Sequence, residues 1–355
     1  MKTYKNLYTQ LVSDENIKQA IIEASRGKRK CKDVQNYLNH IDTQIPKIRK
    51  YVENFHNLKH TPKTINDGLK ARTIIVPAFK EQIVHHMIVQ VLKPMLLKGT
   101  YEHTYGSIPK KGIHLAKKYI ERWLRNDIKN TRYFLKLDIR QFFNSIPLDI
   151  MKEKLSRKIK DDAFLNVLFK VLDVQEKGLP LGFYTSQYLA VWYLEELDHF
   201  IKEELGAKYY VRYMDDMVIF GPNKRKLHKM RIAIDSFLAT LGLKLKSNWT
   251  VRKFIYNGKG SDLDFMGFRF FRYKTILRKR LMLRICRLAR EIKKSTKRRV
   301  HKAMAFMSYV GWINASDSYK LFTERIKTCL SLRHLKILIR RWSLKCGINQ
   351  KIQVA

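Results

Sequence analysis

The sequence predicts an α+β protein whose sheet lies in its middle and whose last part is a strongly cationic helical module. Three observations predict this. Short β-branched or aromatic runs alternate with helical patterns between residues 133 and 270. Hydrophobic residues make up 45% and aromatics 12% of the 355 residues, enough for a sizeable core. From residue 271 onward there are 23 Lys or Arg but only three acids, Glu291, Asp317 and Glu324, on helical patterns such as "LRICRLAREIKK".

In order along the chain, residues 1–60 read as a helical extension, with "NIKQAIIEASRGKRK" amphipathic. "TPKTINDGLK", 61–70, reads as a turn-rich connector. "ARTIIVPAF" reads as a strand stopped by proline, and "EQIVHHMIVQVLKPML" as a helix. "GTYEHTYGSIPKKG" reads as a loop before a helix over 113–126. A strand over Tyr133–Leu137 ends near Asp138, and one helical pattern covers 147–173. "KGLPLGFYTSQ" is a Gly/Pro turn entering a helix over 184–204. Strand, tight turn and strand follow in "KYYVRYMDDMVIFGPN", then a helix over 223–241 and short strands in "LKLKSN" and "DFMGFRFFR".

Charge bounds the function. Against 72 Lys and Arg stand 31 Asp and Glu, a formal net charge of +41. Self-repulsion of that size is relieved by a polyanion, and nucleic acid fits best. The four cysteines have no CxxC or Cys/His spacing, which argues for reduced thiols and against zinc. No apolar signal core opens the chain and no 18-residue apolar run occurs, so a soluble, cytoplasmic protein with no membrane partner is expected.

Asp215 and Asp216 sit in the middle of the apolar stretch "VRYMDDMVIF". Asp is a good turn residue, so a plain hairpin turn is one reading. The other is a carboxylate site: if the strand ending at Asp138 is a neighbour, three carboxylates converge and need divalent cations to relieve their repulsion.

These segments resemble reverse transcriptases. "YMDD" (213–216) resembles their metal-binding signature, and "FLKLDIRQFF" the strand with their first metal aspartate, matched by Asp138. "KARTIIVPAFKEQIVHHMI" is similar to the fingers segment that holds the incoming triphosphate. "GLPLGFYTSQ" resembles the template- and nucleotide-contacting motif, and "LDFMGFRF" the primer-grip hairpin. The resemblance implies a right-hand polymerase with fingers, a palm with an antiparallel sheet, and a helical thumb. The implied divisions are 1–60 as an N-terminal extension, 61–270 as fingers and palm, and 271–355 as thumb.

The resemblance further implies an RNA-directed DNA polymerase with dNTPs, an RNA template, a DNA or RNA primer and two Mg²⁺, Mn²⁺ being an alternative ion. Asp138 and Asp215 would hold the metals, assisted by Asp216 and the Ile139 carbonyl. Lys70 and Arg72 would neutralise the triphosphate, and Phe143 would exclude a ribose 2′-hydroxyl. Leu181 and Gly182 would contact the nucleotide, and Met266 and Gly267 the primer end. Lys244 and Lys246 are alternative proton donors to pyrophosphate. No RNase H or endonuclease region is expected after the thumb.

Within the family, Leu181-Gly182 followed by Thr185-Ser186-Gln187 resembles reverse transcriptases of diversity-generating retroelements. Phe183-Tyr184 depart from the Asn-Leu common there. That subgroup implies error-prone copying of a template-repeat RNA with a small basic accessory protein. A phage-defence or retron-like enzyme is the alternative, and a binding protein with an inactive core a third reading.

Overall fold

A computed structural model of the protein describes residues 3–56, 60, 62–66, 71–294 and 299–345. Lys70, Cys346 and the last ten residues of the expected thumb lie outside the described residues.

The N-terminal helices are α1 (Leu7–Leu11), α2 (Asp14–Ala24), α3 (Lys32–Asn39) and α4 (Ile41–Glu53). Ser13 starts α2 by accepting the Asn16 N–H, the usual service of a serine at that position. The expected connector after them is a strand: β1 (Pro62–Asn66) pairs antiparallel with β2 (Ala71–Ile75), Ile65 opposite Arg72. The turn residues of "INDGLK" suggested a loop, yet Thr64 and Ile65 supply enough β preference once β2 offers a partner.

Helix α5 (Phe79–Lys98) buries Ile83, Val84, Met87, Ile88, Leu92 and Met95, packing on α2 and later on α10. Each such side chain contributes about 1.5–3 kcal/mol on burial. The loop expected at 99–112 contains β3 (Thr104–Tyr105), a two-residue strand too short to show a period. Helix α6 (Ile113–Asn126) keeps its expected limits.

Strand β4 (Tyr133–Asp138) is followed by α7 (Phe142–Ser145). The single helix expected over 147–173 is two, α8 (Leu148–Lys158) and α9 (Asp162–Leu172), because Asp161 caps a new start by accepting the Phe164 N–H. The 184–204 helix is also interrupted: α10 (Tyr184–Tyr193), α11 (Glu195–His199) and a π-helical turn over Phe200–Glu204. Leu194, Leu197 and Ile201 stay buried throughout, so the apolar pattern continues across the break.

Next come β5 (Tyr209–Tyr213), β6 (Asp216–Gly221) and α12 (Lys224–Thr240). "LKLKSN" is not a strand; only Leu245 bridges Ile139. Strands β7 (Thr250–Lys253), β8 (Leu263–Phe265), β9 (Phe268–Phe270) and β10 (Thr275–Leu277) follow. The five-stranded sheet has the order β3-β5-β6-β4-β7, with β3 parallel to β5, and β8–β10 form a separate antiparallel sheet. The architecture is α+β, as expected.

The chain divides into two compact units, Met1–Gly112 with Leu135–Ile219 and Arg225–Thr250, and Ile113–Phe134 with Phe220–Lys224 and Val251–Ala355. In the second, α13 (Lys279–Lys294) buries Met282, Ile285, Ala289 and Ile292 and leaves Arg280, Arg284 and Arg287 exposed. Helices α14 (Arg299–Asn314), α15 (Tyr319–Phe322), a π-helical turn over Thr323–Lys327, and α16 (Leu332–Lys345) complete that unit. Arg272, almost fully buried there, donates to the Leu124 carbonyl at 2.8 Å and lies 4.7 Å over the Phe254 ring.

Candidate active site

Strand β4 lies inside the sheet between β6 and β7, with Phe134, Leu135 and Leu137 in the core and Asp138 partly accessible at its end. Beyond it Ile139 is fully buried and bridges Leu245. Gln141 then takes a left-handed conformation (φ 47°) and turns the chain into α7. Asp138 therefore stands where a side chain can leave the sheet.

The other two carboxylates stand at the tight turn between β5 and β6, Asp215 in it and Asp216 just after it. Met214 takes φ 54°, a conformation that costs a residue with a side chain about 1–3 kcal/mol and needs support from its surroundings. That support is buried behind it. Arg212, wholly inaccessible, donates to Asp198 through Nε (2.7 Å) and Nη2 (2.5 Å) and to the Met214 carbonyl through Nη1 (3.0 Å). Tyr210 and Thr104 hydroxyls also donate to Asp198, at 2.7 and 2.8 Å. The Tyr105 carbonyl accepts the Met214 N–H at 3.1 Å. Asp215 lies in the turn so fixed, and Asp216 opens β6.

The electrostatics tie these aspartates together. Burial first, and then the charges of Asp138 and Asp216, together raise the Asp215 pKa to about 6. Asp138 Oδ2 is paired with the Lys246 ammonium, while its Oδ1 is buried with no hydrogen-bond partner. The Lys246 N–H also donates to the Asp138 carbonyl at 2.8 Å. A buried carboxylate oxygen without a partner, beside a carboxyl held up by two neighbouring charges, suits divalent cations. Among the described residues no three His, Cys, Asp or Glu stand close enough to hold a metal ion by themselves. Magnesium ordinarily takes only one or two carboxylates and completes its shell with phosphate and water, so the donor set fits.

The other expected site residues fall in two places. In the first unit, the loop 178–183 is held on both sides. The Leu179 N–H donates to the Phe143 carbonyl at 2.7 Å, and the Ile75 N–H to the Leu181 carbonyl at 2.7 Å. This joins β2, which carries the exposed Arg72, to the loop and to α7. Phe142 packs in the core and leaves Phe143 half-buried beside it, ring centres 5.6 Å apart. Gly182 has φ 109°, and a Cβ there would lie 2.2 Å from the Ile75 carbonyl oxygen, so its close approach in this structure is to β2. Phe183 is buried against His85, 4.3 Å between ring centres.

In the second unit, Met266 (φ 50°) and Gly267 (φ 84°) form the two-residue turn of the β8–β9 hairpin. Two positive φ values are what such a turn requires. Trp312 stacks on Phe268 and touches the face where a Gly267 Cβ would sit.

Sequence reasoning separated neither lysine: Lys246 reaches Asp138, whereas Lys244 is exposed. It also missed Arg212 and Asp198. The signal available was a lone arginine in the apolar strand "YYVRYM" and a lone aspartate in "YLEELDHF".

A profile of the reverse transcriptase (RNA-dependent DNA polymerase) family matches residues 59–270, more than half of the chain. The chain belongs to that family. Among curated proteins, it is 24% identical over 146 residues to protein YkfC of Escherichia coli, 38% of each chain. It is 23% identical over 172 residues to the group II intron-encoded protein LtrA of Lactococcus lactis, 44% of this chain and 28% of that one. It is 24% identical over 215 residues to the retron Ec73 reverse transcriptase of Escherichia coli, 56% of this chain and 64% of that one. The matched regions span about a third of the length of the first two relatives. No helix among the described residues is long and apolar enough to cross a membrane.

Proposed function

We propose that the protein is an RNA-directed DNA polymerase that extends a DNA or RNA primer with dNTPs on an RNA template. The observation that supports this reading is the electrostatic coupling of Asp215 to Asp138 and Asp216 in a chain of this family, its pKa raised by burial and by those two charges. Two Mg²⁺ ions would be held by Asp138 and Asp215, with Asp216 and the Ile139 carbonyl in support. Bound there, the ions supply activation of the primer 3′-hydroxyl and stabilisation of the departing pyrophosphate. The protein's own groups do the placing. Arg72, with Lys70, neutralises the triphosphate, and the half-buried Phe143 ring excludes a 2′-hydroxyl. Gly182 lets the nucleotide loop close on β2, and Met266-Gly267 turn against the primer end. Fingers and palm then occupy 61–270 and the thumb 271–355.

The finer reading is error-prone copying of a template-repeat RNA, as in a diversity-generating retroelement, with a small basic accessory protein as partner. It rests on Leu181, an aliphatic side chain that offers the nucleotide contact but no directed hydrogen bond. A retron-like or phage-defence enzyme copying its own noncoding RNA is the second reading, favoured by the length of the match to the retron enzyme.

Primer extension on RNA tests the activity, with full extension expected of the wild type and none of Asp215→Ala. Equal extension by both sinks the metal assignment. Sequencing cDNA made on a co-expressed flanking RNA separates the subtypes. Substitutions concentrated at template adenines support the retroelement reading, and faithful copies support the second.

A further inference from the structure

Two adjacent histidines of α5 each meet one of the two aromatic residues that follow Gly182. The Phe183 ring lies 4.3 Å from His85 between ring centres, and His60 meets it edge-on at 5.6 Å. The Tyr184 ring stacks on His86 at 4.2 Å and 18°. We infer, on the polymerase reading above, that Phe183 is a positioning residue. Clamped by His60 and His85, it holds the backbone of Leu181 and Gly182 on β2 and so sets the KM of the incoming nucleotide.

The loop 178–183 has three attachments, and Phe183 is the strongest. The other two are single backbone hydrogen bonds, Leu179 to the Phe143 carbonyl and Ile75 to the Leu181 carbonyl. Burying a phenyl ring stabilises more than one backbone hydrogen bond between half-buried residues. Phe183 is only 1% exposed, so it offers no surface to a ligand and acts through the chain it belongs to. Its neighbour Gly182 is where that chain comes closest to β2, with no room for a Cβ beside the Ile75 oxygen. A shift of Phe183 therefore passes directly to the Ile75–Leu181 contact.

The clamp is itself held in place. His85, almost fully buried, is hydrogen-bonded through Nδ1 to the Thr185 hydroxyl at 3.1 Å. His60 Nε2 is hydrogen-bonded to Glu81 Oε2 at 2.9 Å, and that same oxygen accepts the Ala78 N–H at 3.1 Å. Ala78 lies three residues beyond Ile75, where β2 ends. The contacts therefore close a ring. It runs from Ile75 to Leu181, along the chain to Phe183, across to His85 and His60, and through Glu81 back to the exit of β2. Strand β2 carries Arg72 and the loop carries Leu181, so the ring fixes the spacing of the two groups assigned above to the nucleotide. Such placement matters steeply, a displacement of about 1 Å costing up to ~100-fold.

Two measurements on the full chain test this. Hydrogen exchange reads the clamp without any reaction. In Phe183→Leu the Ile75 amide should exchange about tenfold faster, while the Met214 amide, bonded to the Tyr105 carbonyl, keeps its rate. In primer extension, Phe183→Leu should raise the dNTP KM about tenfold at unchanged kcat and unchanged primer–template Kd. His85→Ala should do the same, and His85→Phe, which restores a ring against Phe183, should return the KM toward the wild-type value. Phe164→Leu, at a likewise fully buried aromatic of α9, should lower the Tm and leave the KM alone. If the KM stays put in Phe183→Leu, or rises as much in Phe164→Leu, Phe183 is core packing only and the inference fails. A wild type whose Ile75 amide is protected through Phe183 but that never extends a primer loses the polymerase activity and keeps the clamp.

Discussion

Arg212 and Asp198 form a fully buried two-pronged ion pair, and the same guanidinium holds the Met214 carbonyl of the turn that carries Asp215. The pair thus connects α11 to the turn that carries Asp215. Two satisfied charges also explain how an arginine lies in the core at all: Asp198 accepts from Arg212, Tyr210 and Thr104, and Arg212 finds the Val191 and Met214 carbonyls besides.

Removing one member should leave the other charged and buried. Arg212→Met and Asp198→Asn are each expected to cost about 3–5 kcal/mol, read as a large drop in urea midpoint. The double variant Arg212→Met with Asp198→Asn should lose less than the sum of the two. Additive losses would show that the residues act independently.

Gly182 provides a contrast in two glycines. Gly182→Ala must place a methyl group 2.2 Å from the Ile75 oxygen at φ 109°, with backbone on the other side that cannot step away. Gly27→Ala, at φ 75° with nothing within 4 Å, meets only the left-handed penalty of about 1–2 kcal/mol. Thermal unfolding should therefore fall much further for Gly182→Ala, and equal shifts would refute the packing argument.

His85 gives the pH dependence a sign. Burial lowers its pKa to about 3, and its ring meets Phe183 and the Thr185 hydroxyl (3.1 Å). The unfolded chain binds this proton near pH 6.5 and the folded chain does not, so stability rises with pH between about 3 and 6.5 and is flat above. From pH 6.5 to 5 this single group removes about 2 kcal/mol. His85→Gln should lose correspondingly less stability over that interval in urea titrations. Parallel losses would assign the acid sensitivity to other groups.

How much of this was legible depended on range. Ile113–Asn126 was read correctly because its apolar positions repeat within the helix itself, and the β5–β6 turn because "YMDD" breaks an apolar run at one point. Strands β3 and β10 are two and three residues long and exist through their partners, so no period marks them. The Arg212–Asp198 pair joins positions 14 apart across a helix and a strand, and Lys246 meets Asp138 across 108 residues. Which of two equivalent lysines points inward is decided by the Ile139–Leu245 bridge, which no local pattern encodes.

That bridge leads to the last prediction. Leu245 pairs with Ile139, so Lys246 is aligned with Asp138, its N–H on the carbonyl and its ammonium on Oδ2. A divalent cation held by Asp138 as proposed would compete with this ammonium for the same carboxylate. An ion pair about a third accessible is worth about 1 kcal/mol, roughly fivefold in affinity. Lys246→Met should therefore bind Mn²⁺ about fivefold more tightly in the absence of nucleotide, measured by electron paramagnetic resonance titration, while extending primers more slowly. Lys244→Met, whose side chain is exposed one position from the bridge, should bind Mn²⁺ as the wild type does. Unchanged Mn²⁺ affinity in Lys246→Met would mean the pair is too weak to guard Asp138. The lysine's part would then lie with the departing phosphate alone.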